Sequence, residues 1–129
     1  MSMQAITTVA VHMTRPEALP VIHGVQGDTG REAWFSVLDL EVPETASARL
    51  YARKPDGWAV YNDCTIRRVD GIATVCAPLT SQLLAAPGRA VCQIQLLDGD
   101  SLVTSFPFVL DIRATRVDGT AIESSNEFG

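Results

Sequence analysis

His12, His23, Cys64, Cys76 and Cys92 are the residues of this 129-residue chain best suited to metal ligation or nucleophilic catalysis. Neither histidine sits in an H-x-x-x-H or H-E-x-x-H frame, which would set two ligands on one helix face, so both read as strand-end residues in solvent. The cysteines are odd in number and far apart, which fits neither a C-x-x-C knuckle nor a dense disulfide framework. A buried, reduced role is favoured, because free cysteine packs as a small hydrophobe, with one strand-to-strand disulfide as the alternative. No Gly-x-Ser-x-Gly elbow, Walker loop or strand-linked G-x-G-x-x-G occurs.

Carboxylates offer little more. Asp98-Gly99-Asp100 could present oxygens to a hard cation, but the further ligands and distal Glu of a calcium loop do not follow, and a hairpin turn explains the triplet. Asp39, Glu41 and Glu44 could be imagined as a hydrolytic pair, yet an acidic group beside Pro43 reads as a solvated loop. Trp34, Tyr51, Trp58 and Tyr61 raise the stacking of sugar rings on exposed aromatics, against ordinary core and hairpin packing. No catalytic, cofactor-binding or metal-binding residue is assigned, and the chain reads as a non-enzyme without a cofactor.

The elements that would position these residues are strands. A content of 47% hydrophobic and 19% charged residues suits a single packed domain. With 10 Lys+Arg against 15 Asp+Glu the chain lacks the positive field of nucleic-acid binders, and no apolar run reaches the length of a membrane span. The N-terminus shows no export signal, so a soluble protein made in the cytoplasm is expected.

Asp-Gly pairs at Asp56-Gly57, Asp70-Gly71, Asp98-Gly99 and Asp118-Gly119, with Gly27-Asp28, mark turns, because glycine supplies a positive φ at no steric cost. Between them, period-two alternation places Leu102, Thr104, Phe106, Phe108, Leu110 and Ile112 on one face of a strand. Cys92, Ile94 and Leu96, and Ala48, Leu50 and Ala52, do the same on two others. Pro107 cannot donate to a ladder, which predicts an edge or a bulge there. Earlier strands are expected near Ile6–Val11, Val21–Val25 and Arg31–Leu40, the last with apolar residues on both faces, as if also covered by a neighbouring subunit. At most one helical turn is predicted, at Thr80 to Ala85, capped by Thr80 and stopped by Pro87-Gly88. The expected architecture is an all-β sandwich over residues 1–119, followed by a polar tail or linker, 120–129.

The strand Ala48 to Arg53 ending in Lys54-Pro55-Asp56-Gly57 is followed by Val69-Asp70-Gly71-Ile72-Ala73, Ala86-Pro87-Gly88, Gln95 to Asp100, and Thr104 to Phe108. This succession resembles the N-terminal domain of tailed-phage baseplate upper proteins over most of the chain, roughly Ile6 to Gly119. The resemblance implies an immunoglobulin-like antiparallel β-sandwich of the tail tip. It would dock on the baseplate core, position receptor-binding proteins, and work in a homo-oligomer, a trimer or ring, with other phage structural proteins in the virion. A capsid-decorating protein and a carbohydrate-binding module are the alternatives. Trp34 and Phe35, with the Phe106 and Pro107 edge, are the expected interface.

Overall fold

A computed structural model describes residues 5–12 and 19–115. These form eight strands: β1 (Ala5–Val11), β2 (Val21–Val25), β3 (Arg31–Val37), β4 (Ala46–Arg53), β5 (Ala59–Val69), β6 (Ile72–Leu79), β7 (Gly88–Asp98) and β8 (Ser101–Arg113). The fold is all-β, and no helix among the described residues is long and apolar enough to cross a membrane. The expected helical turn is a single turn in which the amide of Leu84 donates to the carbonyl of Thr80 (3.0 Å) and that of Leu83 to the Thr80 hydroxyl (3.2 Å). The Asp118-Gly119 pair and residues 120–129 lie outside the described residues.

The strands follow the ladder order β1-β3-β6-β5-β4-β7-β8-β2. β5 belongs to two layers. Its first half, Ala59 to Cys64, pairs with β4, and its second, Thr65 to Val69, with β6. The sheet folds over along this strand. Phe35 of β3 consequently meets Phe106 and Phe108 of β8, with ring centroids 5.3 and 4.9 Å apart, although β6, β5, β4 and β7 separate those strands in the ladder. Instead of the purely antiparallel arrangement expected, both outermost pairings, β1 with β3 and β2 with β8, are parallel.

The core fills from period-two faces. Ala33, Phe35 and Val37 point inward from β3, Ala48, Leu50 and Ala52 from β4, and Cys92, Ile94 and Leu96 from β7. In β8 the alternation holds for Phe106, Phe108, Leu110 and Ile112, but Leu102 is exposed. A register shift makes Leu96 face Thr104 and Leu97 face Leu102, leaving Val103 as the extra residue of a bulge that turns Leu102 outward. Pro107 is not the bulge. It pairs with Gln93 on one side, and among the described residues no strand pairs with it on the other, since the β2 ladder starts at Val109.

Turn chemistry follows the Asp-Gly pairs. Asp70 (φ 52°) and Gly71 (φ 79°) join Val69 to Ile72 with two positive φ values, as a type I′ hairpin requires. Between the paired Asp98 and Ser101 the central residues are Gly99 (φ 63°) and Asp100, with the positive φ confined to the first. At Lys54-Pro55-Asp56-Gly57 the amide of Gly57 donates to the carbonyl of Lys54 (2.9 Å), and the Asp56 carboxylate accepts from the amide of Trp58 (3.0 Å).

Candidate functional site

The expected interface residues fall in three places. Phe35 and Phe106 are core residues, which corrects their assignment to a docking surface: inward parity on β3 and β8 makes them the two halves of the interlayer aromatic contact. Pro107 is exposed on the outer face of the layer containing β8. Trp34 lies half-buried on the outer face of the other layer. The strand carrying it ends at Val37 rather than Leu40, and it alternates cleanly, with Ala33, Phe35 and Val37 inward and Trp34 as the large apolar residue of its outer face.

Trp34 organises its face. Its Nε1 donates to Glu32 Oε1 (3.0 Å), and the Arg67 guanidinium lies 5.5 Å from its ring centroid. In the ladder Trp34 stands opposite Cys76, which in turn stands opposite Thr65, while Arg67 stands opposite Thr74. The indole and guanidinium thus bridge β6 from its two neighbours, and Thr74 and Cys76 are buried although they point away from the core. Burial raises the Cys76 thiol above its ordinary value; the Thr65 hydroxyl and Arg67 charge oppose that shift and Glu32 reinforces it.

The two outer faces differ in chemistry. On the β1-β3-β6-β5 layer, Glu32 and Arg67 are the charged residues of the outward alternation, and both are engaged by Trp34. Above them Leu38, Ile72 and Val69 follow one another across the end of the layer, 44%, 38% and 43% exposed. The opposite layer turns out Arg49, Arg53, Asp63, Arg89, Asp111 and Arg113, with Gln93 and Gln95 between them. The two faces thus differ in charge, although the charged one also exposes Tyr61 and Val91, 61% and 64% exposed.

The remaining candidates are dispersed. His23 Nδ1 is 3.7 Å from Asp111 Oδ2 across β2 and β8. Tyr51 and Tyr61 pack cross-strand with centroids 4.7 Å apart, whereas Trp58 stands 73% exposed beside the Asp56-Gly57 turn, so the aromatics do not join into one platform. Asp98 accepts from the Thr45 hydroxyl (2.8 Å). Among the described residues no three His, Cys, Asp or Glu side chains gather as a metal ion would need.

A cleft of about 260 Å³ opens where β5 leaves β4, lined by Pro43, Glu44, Ala46, Ser47, Cys64, Ile66 and Arg68. Arg68 is occupied there, its Nη2 donating to the carbonyl of Val42 at 2.6 Å. Burial and the neighbouring Asp63 charge push the Cys64 thiol up to about 12, so it stays protonated at neutral pH and offers no thiolate nucleophile. All three cysteines are free.

Sequence reasoning missed the contrast between the outer faces. Its local signal was Val69 and Ile72 on either side of the Asp70-Gly71 turn; the placing of β3, with Leu38 just past its end, beside β6 is what only strand order reveals.

No protein-family model matches the chain, and no curated protein matches its sequence. Solved structures do. The N-terminal domain of phage TP901-1 ORF48 is similar over 85% of this chain and 99% of that one, with a TM-score of 0.59 at 9% identity. The fold is similar to that of this phage domain. A cysteine protease inhibitor from Entamoeba histolytica is a weaker likeness, with a TM-score of 0.42 at 10% identity over 84% of this chain and 97% of that one.

Proposed function

We propose that the chain is a non-enzymatic structural protein of a tailed-phage virion. In this reading it is an immunoglobulin-like β-sandwich module of the baseplate or tail tip, which docks on the tail core and positions receptor-binding proteins. The observation that carries the reading is the fold likeness to the phage TP901-1 ORF48 domain, which takes in 99% of that domain. The contrast between the outer faces supports it. A nearly charge-free surface centred on Trp34 and rimmed by Leu38, Ile72 and Val69 has the depletion of charge and the aromatic anchor typical of the middle of a protein interface. The docking surface assigned here keeps Trp34 from the sequence expectation and replaces Phe35, Phe106 and Pro107 with those three residues.

Labelling the protein in purified particles by immunoelectron microscopy tests the placement, and signal at the tail tip is expected. Signal on the capsid would replace this reading with a decorating role, and absence from particles would end both. Leu38→Glu puts a charge on an exposed rim position and should exclude the protein from particles while its thermal unfolding stays close to that of the wild type. Normal incorporation of Leu38→Glu together with Ile72→Glu would remove the docking surface.

A further inference from the structure

The folded-over sheet ends in two edge strands, and the protein treats them differently. β2 is a short edge of five residues, preceded by Pro20 and carrying Gly24 and the exposed His23. Brevity and a flanking proline are among the devices by which natural sheets blunt their edges. β1 has none of them. Its seven residues, Ala5-Ile6-Thr7-Thr8-Val9-Ala10-Val11, include no charge, no proline and no glycine. Five of them are β-branched, and the strand pairs continuously with β3 without a bulge. Only β3 pairs with β1 among the described residues, which leave the backbone donors and acceptors on its far side without a ladder partner.

We propose that β1 is a dimerisation strand that pairs antiparallel with β1 of a second copy about a two-fold axis. The occupant follows from what the molecule has to offer. A strand added at this edge needs a free edge of its own, and β1 is the unblunted one, which favours self-pairing over a head-to-tail joint with β2. The register that uses all seven residues sets Thr8 opposite Thr8 of the second copy, Thr7 opposite Val9, Ile6 opposite Ala10, and Ala5 opposite Val11. No like charges oppose one another in that ladder, and its centre is a Thr–Thr pair, a favourable cross-strand combination. A closed two-fold pair also uses up the open edge, which a one-directional joint would pass on to the next copy. The pairing continues the outer face from Trp34 and Thr8 of one copy to Thr8 and Trp34 of the other, giving one broad surface with two indoles.

A seven-residue ladder is a small contact beside the ~1,200 Å² of a standard interface, so a weak dimer is expected. Sedimentation of the whole chain between about 10 µM and 1 mM should show the mass rising from one copy toward two. Thr8→Lys sets like charges opposite one another at the centre of the proposed ladder, on an exposed position, and should hold the mass at one copy throughout, with unchanged near-ultraviolet circular dichroism. Thr8→Cys should form a disulfide-linked dimer under mild oxidation at least ten times faster than Ser101→Cys, an exposed control on β8. A wild-type chain that stays at one copy at 1 mM, a Thr8→Lys variant that dimerises as the wild type does, or equal cross-linking of the two cysteine variants would each overturn the proposal. The virion reading is judged separately by particle incorporation and survives or fails without reference to these results.

Discussion

Phe35 and Phe108 lie with ring centroids 4.9 Å apart and planes inclined at 47°, and through them β3 is packed directly against β8 across the fold. Both side chains are fully buried, and Phe106 meets Phe35 from the same strand. Phe35→Ala empties the position at which the layers are joined, and an aromatic truncation of this kind costs about 3–5 kcal/mol. Urea unfolding should show that loss as a lower midpoint at an unchanged slope, and a loss below about 1 kcal/mol would mean that the layers are held elsewhere.

Gly88 begins β7 at φ 122°, and a methyl group there would stand 3.1 Å from Pro55 Cβ and 3.2 Å from its Cγ. Gly88→Ala therefore combines a strained backbone with a clash against a rigid ring and should cost about 2 kcal/mol or more. Gly24→Ala meets Leu84 Cδ2 at 2.9 Å, but the contact is with the end of a side chain and the backbone is unstrained. Its cost should be smaller, about 1 kcal/mol, and thermal unfolding of the two variants side by side checks the order.

Lys54, the only lysine, is buried; its Nζ lies 3.4 Å from the carbonyl of Gln82, to which it donates, and 3.5 Å from the Asp56 carboxylate. It ties the Lys54-Pro55-Asp56-Gly57 turn to the Thr80–Ala85 turn at one end of the fold. Amine-reactive reagent should label the peptide containing Lys54 slowly in the folded protein and rapidly in urea, as read by mass spectrometry. Equal rates in the two states would place this ammonium in solvent.

Cys64 and Cys92 are held protonated up to about 12 by burial, whereas in the unfolded chain such thiols titrate near 9.0. The unfolded state thus binds fewer protons above pH 9. The stability these thiols contribute is complete below pH 9 and declines as pH rises toward 12. The melting temperature should fall across that window, and Cys92→Ser or Cys64→Ser should make the fall shallower by removing one ionising group. Identical slopes in wild type and both variants would contradict the burial of these thiols.

Turns and faces were legible in the sequence because each is a local property. Asp70-Gly71 is a sequence suited to a two-residue turn with positive φ values, and Ile94 alternates with Gln95 whatever lies opposite. What could not be read depends on pairing across the chain. Leu102 shares its parity with Phe106, and only the extra residue at Val103, visible against β7, turns it outward. Phe35 and Trp34 are adjacent large aromatics, and their opposite fates, core and outer face, follow from β3 parity, which is fixed by Ala33 and Val37 inside. The docking assignment given to Phe35 and Phe106 failed for that reason. Trp34 kept its place on a surface, but of the residues that share it only Val69 and Ile72 are local partners, flanking the Asp70-Gly71 turn, whereas Leu38, just past β3, is about thirty residues away in sequence.

The parallel pairing of β2 with β8 sets a timetable for the nascent chain. Val21 is synthesised early, yet its ladder partner is Val109, and the interlayer partner of Phe35 is Phe108. The β4-β5-β6 hairpins can pair as they emerge, because their partners are neighbours in sequence. β2 must wait, unpaired, until the last described strand has left the ribosome. Closure-limited folding of this kind is slow, since distant contacts are made only after the entropy of a long loop has been overcome. The short, blunted form of β2 therefore protects the protein not only as an edge in the finished fold but also during the interval when this strand has no partner at all.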